Sequence, residues 1–176
     1  NKDPYNEVAW HQLGRQYLAK QMYEQAITAF DFAVICDDNF IGAYLELGKA
    51  LEHLGRYNEA INHYEITLSI DDPTAFALLR IGACHLKLKN DTLGIKFLIK
   101  AIHEDPLLDK TWLTLCGHYM RTKSYAKVLH YIKKALKIDN GNAKYWRLYA
   151  QANKVLCFFE EANLAYERLV NLGNYE

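Results

Sequence analysis

Residues 10–17 read Trp-His-Gln-Leu-Gly-Arg-Gln-Tyr. Trp10, Leu13 and Tyr17 stand three and four residues apart, and Ala9 and Leu18 lengthen the same stripe. That spacing marks a helix with one buried face. Tyr23, Ala26, Ile27, Phe30, Ala33 and Val34 repeat the pattern a few residues later. The two stretches predict a pair of short antiparallel helices, and Gly14 is the small residue that lets such a pair cross closely.

The pair then comes round again. Asp3, Asp37, Asp71, Asp105 and Asp139 are spaced by 34 residues with no insertion, and self-similarity at such a period is the mark of a repeat architecture. The 176 residues divide into a leading 1–6 and five blocks, 7–40, 41–74, 75–108, 109–142 and 143–176. The fourth place holds Trp10, Tyr44, Leu78, Trp112 and Trp146, and the seventh Leu13, Leu47, Ile81, Leu115 and Tyr149. The eighth holds Gly14, Gly48, Gly82, Cys116 and Ala150. In the second half, small Ala26, Ala60, Gly94 and Ala162 (with Val128 in the fourth block) precede large Phe30, Tyr64, Leu98, Ile132 and Tyr166. Large side chains fill the space that the small ones open.

Trp-x-x-Leu-Gly-x-x-Tyr (Trp10, Leu13, Gly14, Tyr17), followed by Ala26, Phe30 and Ala33, resembles the tetratricopeptide repeat. The resemblance covers residues 7–176 in five copies. It implies an all-α, right-handed superhelical solenoid of antiparallel helix pairs, and five copies exceed the three or so that a continuous core needs. Asp-Pro (Asp3-Pro4, Asp105-Pro106) or Asp-Asp (Asp37-Asp38, Asp71-Asp72) is expected to stop one helix and cap the next. Residues 1–6, with Asp3-Pro4, read as the remnant of a preceding repeat. Asp91 and Gly94 predict a locally weak helix in the third block, because an interior Gly costs about 0.5–1 kcal/mol relative to Ala.

Composition excludes several classes. With 51% hydrophobic and 13% aromatic residues the chain is too apolar to be disordered. Its 21 Lys+Arg balance 21 Asp+Glu, which argues against a bulk nucleic-acid binder. The longest apolar runs, such as Val155–Phe159, fall far short of a membrane span. Cys36, Cys84, Cys116 and Cys157 show no metal-ligand spacing. They read as buried small hydrophobes in reduced form, which suggests a cytoplasmic setting.

Catalysis finds no foothold. The seven histidines form no HExxH, and GxSxG, GxxxxGK[ST] and GxGxxG are all missing. No metal or cofactor is expected, and His85 reads as a satisfied core histidine.

Function is therefore expected on a surface. The resemblance implies that the first helix of each repeat lines a concave groove with its second, fifth, sixth, ninth, twelfth and thirteenth places. Those places hold nine cations, Arg15, Lys49, Arg80, Lys87, Lys110, Arg121, Lys144, Arg147 and Lys154, against Glu46 and Glu52. The groove would thus carry +7 and the rest of the neutral chain −7, a field focused toward an anionic partner. Leu45, Leu79 and Leu113, beside Phe76, Leu86 and Met120, add an apolar strip. Arg15, Leu45, Lys49, Phe76, Leu79, Arg80, Lys110, Leu113, Lys144 and Arg147 are the candidate site for a peptide carrying acidic and hydrophobic side chains. Within it, Lys49, Arg80 and Lys110 are expected to grip a carboxylate or phosphate. The plainer alternative is that long basic side chains merely solvate an exposed face.

Some relatives hold the acidic tails of heat-shock chaperones with a carboxylate clamp of Lys, Asn, Asn, Lys and Arg. The first register here offers His11, Arg15, Glu46, Phe76 and Arg80, and the later registers match no better. Two rivals to the peptide groove remain: a helical-repeat RNA binder, and an assembly module of a longer protein that acts, or self-associates, through uncapped ends.

Overall fold

A computed structural model describes residues 6–71 and 74–173. Asp3-Pro4 and most of the leading 1–6 segment lie outside the described residues. The described residues form ten α-helices: α1 Glu7–Ala19, α2 Tyr23–Cys36, α3 Ile41–His53, α4 Tyr57–Ile70, α5 Ala75–Lys87, α6 Asp91–Glu104, α7 Asp109–Arg121, α8 Tyr125–Ile138, α9 Ala143–Val155 and α10 Phe159–Asn171. The odd-numbered helices begin 34 residues apart, and so do the even-numbered ones.

Three-residue turns join the helices within each pair, and one backbone device closes all five. Gln21, Gly55, Lys89, Lys123 and Cys157 each adopt positive φ, between 55° and 74°. The next residue's N–H then reaches back five residues: Met22 to the Tyr17 carbonyl (2.9 Å), Arg56 to Leu51 (2.9 Å), Asn90 to His85 (2.9 Å), Ser124 to Tyr119 (2.8 Å) and Phe158 to Asn153 (2.9 Å). This is the Schellman closure, which satisfies carbonyls orphaned at a helix end. Only one of the five left-handed places is a glycine.

The periodic Asp37, Asp71 and Asp139 stand at the ends of α2, α4 and α8 as expected, but the capping of the next helix falls to other side chains. Asp37 accepts from the Asn39 N–H (3.0 Å), Asp105 from Leu107 (2.9 Å) and Asp139 from Gly141 (3.0 Å). Each carboxylate thus folds its own turn two residues on. The side chains that cap the following helices are Asn6, Thr74 and Asn142.

The chain divides into two compact units, Asn1–Phe97 and Leu98–Glu176, with the boundary inside α6. In the first unit the core gathers Ala26, Ile27, Phe30, Leu47, Ala50, Leu51, Ala60, Ile61, Tyr64, Ile81 and Cys84. A Cβ placed on Gly14 would lie 2.5 Å from the Phe30 ring, and one on Gly48 2.5 Å from the Tyr64 ring. Those rings occupy the space a side chain would need, and both are 0% exposed. Helix α6 runs its full 14 residues through Gly94. Gly94 is buried, and a Cβ there would lie 2.6 Å from a Leu86 methyl and 2.9 Å from the Gly82 carbonyl oxygen. In the second unit, Trp112 and Trp146 each donate an indole N–H to the backbone carbonyl six residues back, Pro106 (2.9 Å) and Asn140 (2.7 Å). Each tryptophan thereby ties its helix to the turn that starts it.

None of the four cysteines stands in a disulfide, but they are not alike. Cys84 and Cys116 are buried, and burial pushes each thiol up to about 12. Cys36 is half-buried and Cys157 exposed, so the expectation of four buried thiols holds for two. His85 also departs from expectation: it is half-buried against Phe97 (5.6 Å between centroids) with its buried Nδ1 unsatisfied.

Two measurements test this account. In urea unfolding, Gly48→Ala should destabilise by about 1–3 kcal/mol through overpacking against Tyr64. Gly55→Ala should cost about 1–2 kcal/mol from backbone strain alone, since a Cβ there meets nothing within 4 Å. Lys123→Gly should shift the midpoint the other way, by about 0.5–1 kcal/mol. With an aromatic disulfide reagent, Cys157 of the folded chain should react first. Cys84 and Cys116 should react only on unfolding. A uniform rate for all four would contradict the buried, neutral state of those two thiols.

Candidate functional site

The candidate residues all stand on the first helix of a pair, and each unit is described by itself. In the first unit Arg15 on α1 is exposed. Leu45 on α3 is partly buried against the core. Lys49, also on α3, bonds the Glu46 carboxylate at 2.7 Å and lies 5.4 Å from the centroid of the Phe76 ring on α5. Leu79, expected on the groove, is 1% exposed and belongs to the core.

Arg80 is tied down most firmly. Its Nη2 and Nε lie 2.6 and 2.7 Å from Glu52 Oε1, and the Tyr64 hydroxyl donates to that same oxygen at 2.7 Å. The Arg80 and Glu52 side chains are only 18% and 15% exposed. Burial alone would lower the Arg80 pKa, but the Tyr64 oxygen and the Glu52 carboxylate hold it above its ordinary value. Burial, with Glu52 alongside, drives the Tyr64 phenol upward, so it stays a neutral donor. Glu46 and Glu52 are the two acids at the groove places, and each is consumed by a cation beside it. Of the expected grip of Lys49, Arg80 and Lys110, the first two therefore face carboxylates of their own chain.

Charge is freer in the second unit. Lys110 on α7 and Lys144 and Arg147 on α9 are exposed, and Leu113 on α7 is partly buried. Lys144 approaches Asp109 at 3.9 Å through side chains 68% and 42% exposed, a contact worth little. Lys110 and Arg147 have no ion-pair partner among the described residues. No acid occupies a groove place on α7 or α9, and these two helices touch directly.

Attention to the first helices alone missed the outer helix α8. Lys127, Lys133, Lys134 and Lys137 lie exposed along it. The signal was available in the sequence: residues 110–159 hold ten Lys+Arg and one acid, Asp139, leaving 11 Lys+Arg and 20 Asp+Glu elsewhere. Charge is thus segregated along the chain as well as between its faces.

Among the described residues no group of three or more His, Cys, Asp or Glu is placed to hold a metal ion. No described helix is long and apolar enough to cross a membrane.

The tetratricopeptide repeat model matches residues 43–75. Tetratricopeptide repeat protein 37 of Xenopus laevis is 29% identical over 127 residues, 64% of this chain, and this chain spans 8% of that protein's length. Among solved structures, PilW, a type IV pilus biogenesis factor, superposes with a TM-score of 0.79 at 22% identity, over 99% of this chain and 81% of its own. YrrB, a repeat protein with an unusual peptide-binding site, gives 0.69 at 15% identity over 97% and 88%. These likenesses establish an all-helical repeat fold of the kind expected from the 34-residue period. Residues 43–75 match the tetratricopeptide repeat, and the chain as a whole is similar in fold to proteins built from that repeat.

Proposed function

We propose that this chain is a protein-interaction scaffold that takes a peptide segment carrying acidic and hydrophobic side chains. The observation that carries the reading is the pair of touching helices α7 and α9, where Lys110, Lys144 and Arg147 have no strong acidic partner and Leu113 stands one turn after Lys110 on α7. Exposed cations around partly buried leucine suit a ligand that alternates carboxylates with aliphatic side chains. Arg147 can engage a carboxylate in two parallel bonds, whereas a lysine acts as a point charge. In the first unit Arg15, Leu45, Lys49 and Phe76 offer a second, weaker foothold, because Glu46 already draws on Lys49. Arg80 and Leu79 belong to the framework there. YrrB, similar in fold, has a peptide-binding site of its own, which supports the class of ligand and nothing finer.

The test uses a dye-labelled peptide of alternating Leu and Glu, with a Leu–Lys peptide as control. Lys144→Glu/Arg147→Glu should weaken the Leu–Glu peptide about tenfold or more. Raising salt from about 0.05 to 0.5 M should weaken it further. Equal affinity for both peptides, or no response to the double reversal, would sink the reading. Arg80→Ala should instead cost about 2–4 kcal/mol in urea unfolding, because Glu52 loses its charge partner in a mostly buried place. Its effect on peptide affinity should be small.

A further inference from the structure

From the charges on the outer helices we infer that the exposed face of α8 docks on the exposed face of α4 of a second copy of this chain. The α8 lysines have no carboxylate partner among the described residues. Lys127 lies 5.3 Å from the Tyr119 ring centroid, Lys133 5.9 Å from Tyr149 and Lys134 5.8 Å from Tyr131. Aromatic faces hold these side chains in place without cancelling their charge. No Asp or Glu occurs anywhere from Lys110 to Ile138.

The complement is in the same sequence. Helix α4 carries Glu59 and Glu65 and no Lys or Arg, and α2 carries Glu24 and Asp31 and likewise no Lys or Arg. Glu59 and Glu65 stand 68 residues, two repeats, before Lys127 and Lys133. They occupy the same places on the same kind of helix, and all four are exposed. Six residues separate each pair, a rise of about 9 Å. Residues six apart also lie about 120° round the helix axis, so helices laid side by side set one acid of α4 opposite one lysine of α8 while the other pair flanks the contact. Arg56 pairs with Glu59 and Glu24 and offsets part of this acidity, while Glu65 and Asp31 have no ion pair among the described residues.

Long-range charge favours the same occupant. The unit Asn1–Phe97 holds 9 Lys+Arg against 13 Asp+Glu, and Leu98–Glu176 holds 12 against 8. A chain whose net charge is zero meets no overall repulsion from its own copies. Opposite local charges on matching helix places then select how copies meet. A polyanion such as RNA would suit the lysines of α8 but would leave the acidic complement of α4 without a role.

The experiment is sedimentation velocity on the full chain over a range of concentrations, at about 0.05 and 0.5 M salt. Native chain should associate at low salt and dissociate at high salt. Lys127→Glu/Lys133→Glu/Lys134→Glu leaves α8 with three acids and one lysine, so both faces are acidic, and Glu59→Lys/Glu65→Lys makes both basic, so each variant alone should stay monomeric. Mixed in equal amounts, the two variants should associate again, because each then meets a face of opposite sign. The inference is overturned if native chain is monomeric throughout, or if it associates but the lysine reversal leaves the association intact, as contact through the solenoid ends would. It is also overturned if the mixture stays monomeric. A mixed-sequence single-stranded RNA bound through the α8 lysines by a monomeric chain would replace it with the nucleic-acid reading.

Discussion

One contact governs the first unit: the ring of Tyr64 resting where Gly48 has no side chain. The missing Cβ, which would lie 2.5 Å from that ring, lets α3 and α4 cross closely enough to bury both. Its consequences run outward. With the ring fixed, the Tyr64 hydroxyl is aimed at Glu52 (2.7 Å), and Glu52 so placed captures Arg80 on α5. A packing event inside one helix pair thereby decides that a cation on the next pair is unavailable to a ligand. The surface chemistry of this unit follows from its core.

The other crossings show the same constraint relaxed in different ways. Where Cys116 replaces the glycine, its counterpart is the narrower Ile132, and both remain 0% exposed. Where Ala150 does so, the counterpart is Tyr166, which is 42% exposed. A methyl group at the crossing and a full aromatic ring opposite do not both fit inside; a smaller partner or an outward ring resolves the conflict. In the third pair the roles shift again: Gly94 at the twentieth place receives Leu86, so the glycine that reads as a helix weakener in isolation is what admits its neighbour.

What the sequence made legible follows from what repeats. Helix pairs, their order, and the crossing residues all recur at 34, and periodicity exposes them because packing imposes the same demand in each copy. Features that do not recur stayed hidden. The bond between Arg80 and Glu52 joins residues 28 apart, a separation belonging to no helical pattern. Leu79 sits at a groove place yet is buried, since apolar character alone cannot tell a lining side chain from a core one. The left-handed turn residue recurs in all five pairs, but Gln21, Lys89, Lys123 and Cys157 do not advertise it as Gly55 does. There backbone geometry is imposed by the closing bonds, at a conformational cost that the packed helices absorb.

A repeat fold also separates two properties that an ordinary globule entangles. Because every second helix offers the same exposed places on the same backbone, substitution there changes charge without changing shape. Glu59 and Lys127, or Glu65 and Lys133, are the same place in the fold with opposite sign. The zero net charge of this chain is therefore no sign of electrostatic indifference. It results from an acidic stretch and a basic stretch laid along one scaffold, with 20 of the 21 acids outside residues 110–159. Screening acts over about 8–10 Å at ordinary ionic strength, shorter than a single helix of 14 residues, which spans about 21 Å. A partner thus responds first to the charge of the helix it touches, and the balance of the whole chain decides only whether its approach is opposed.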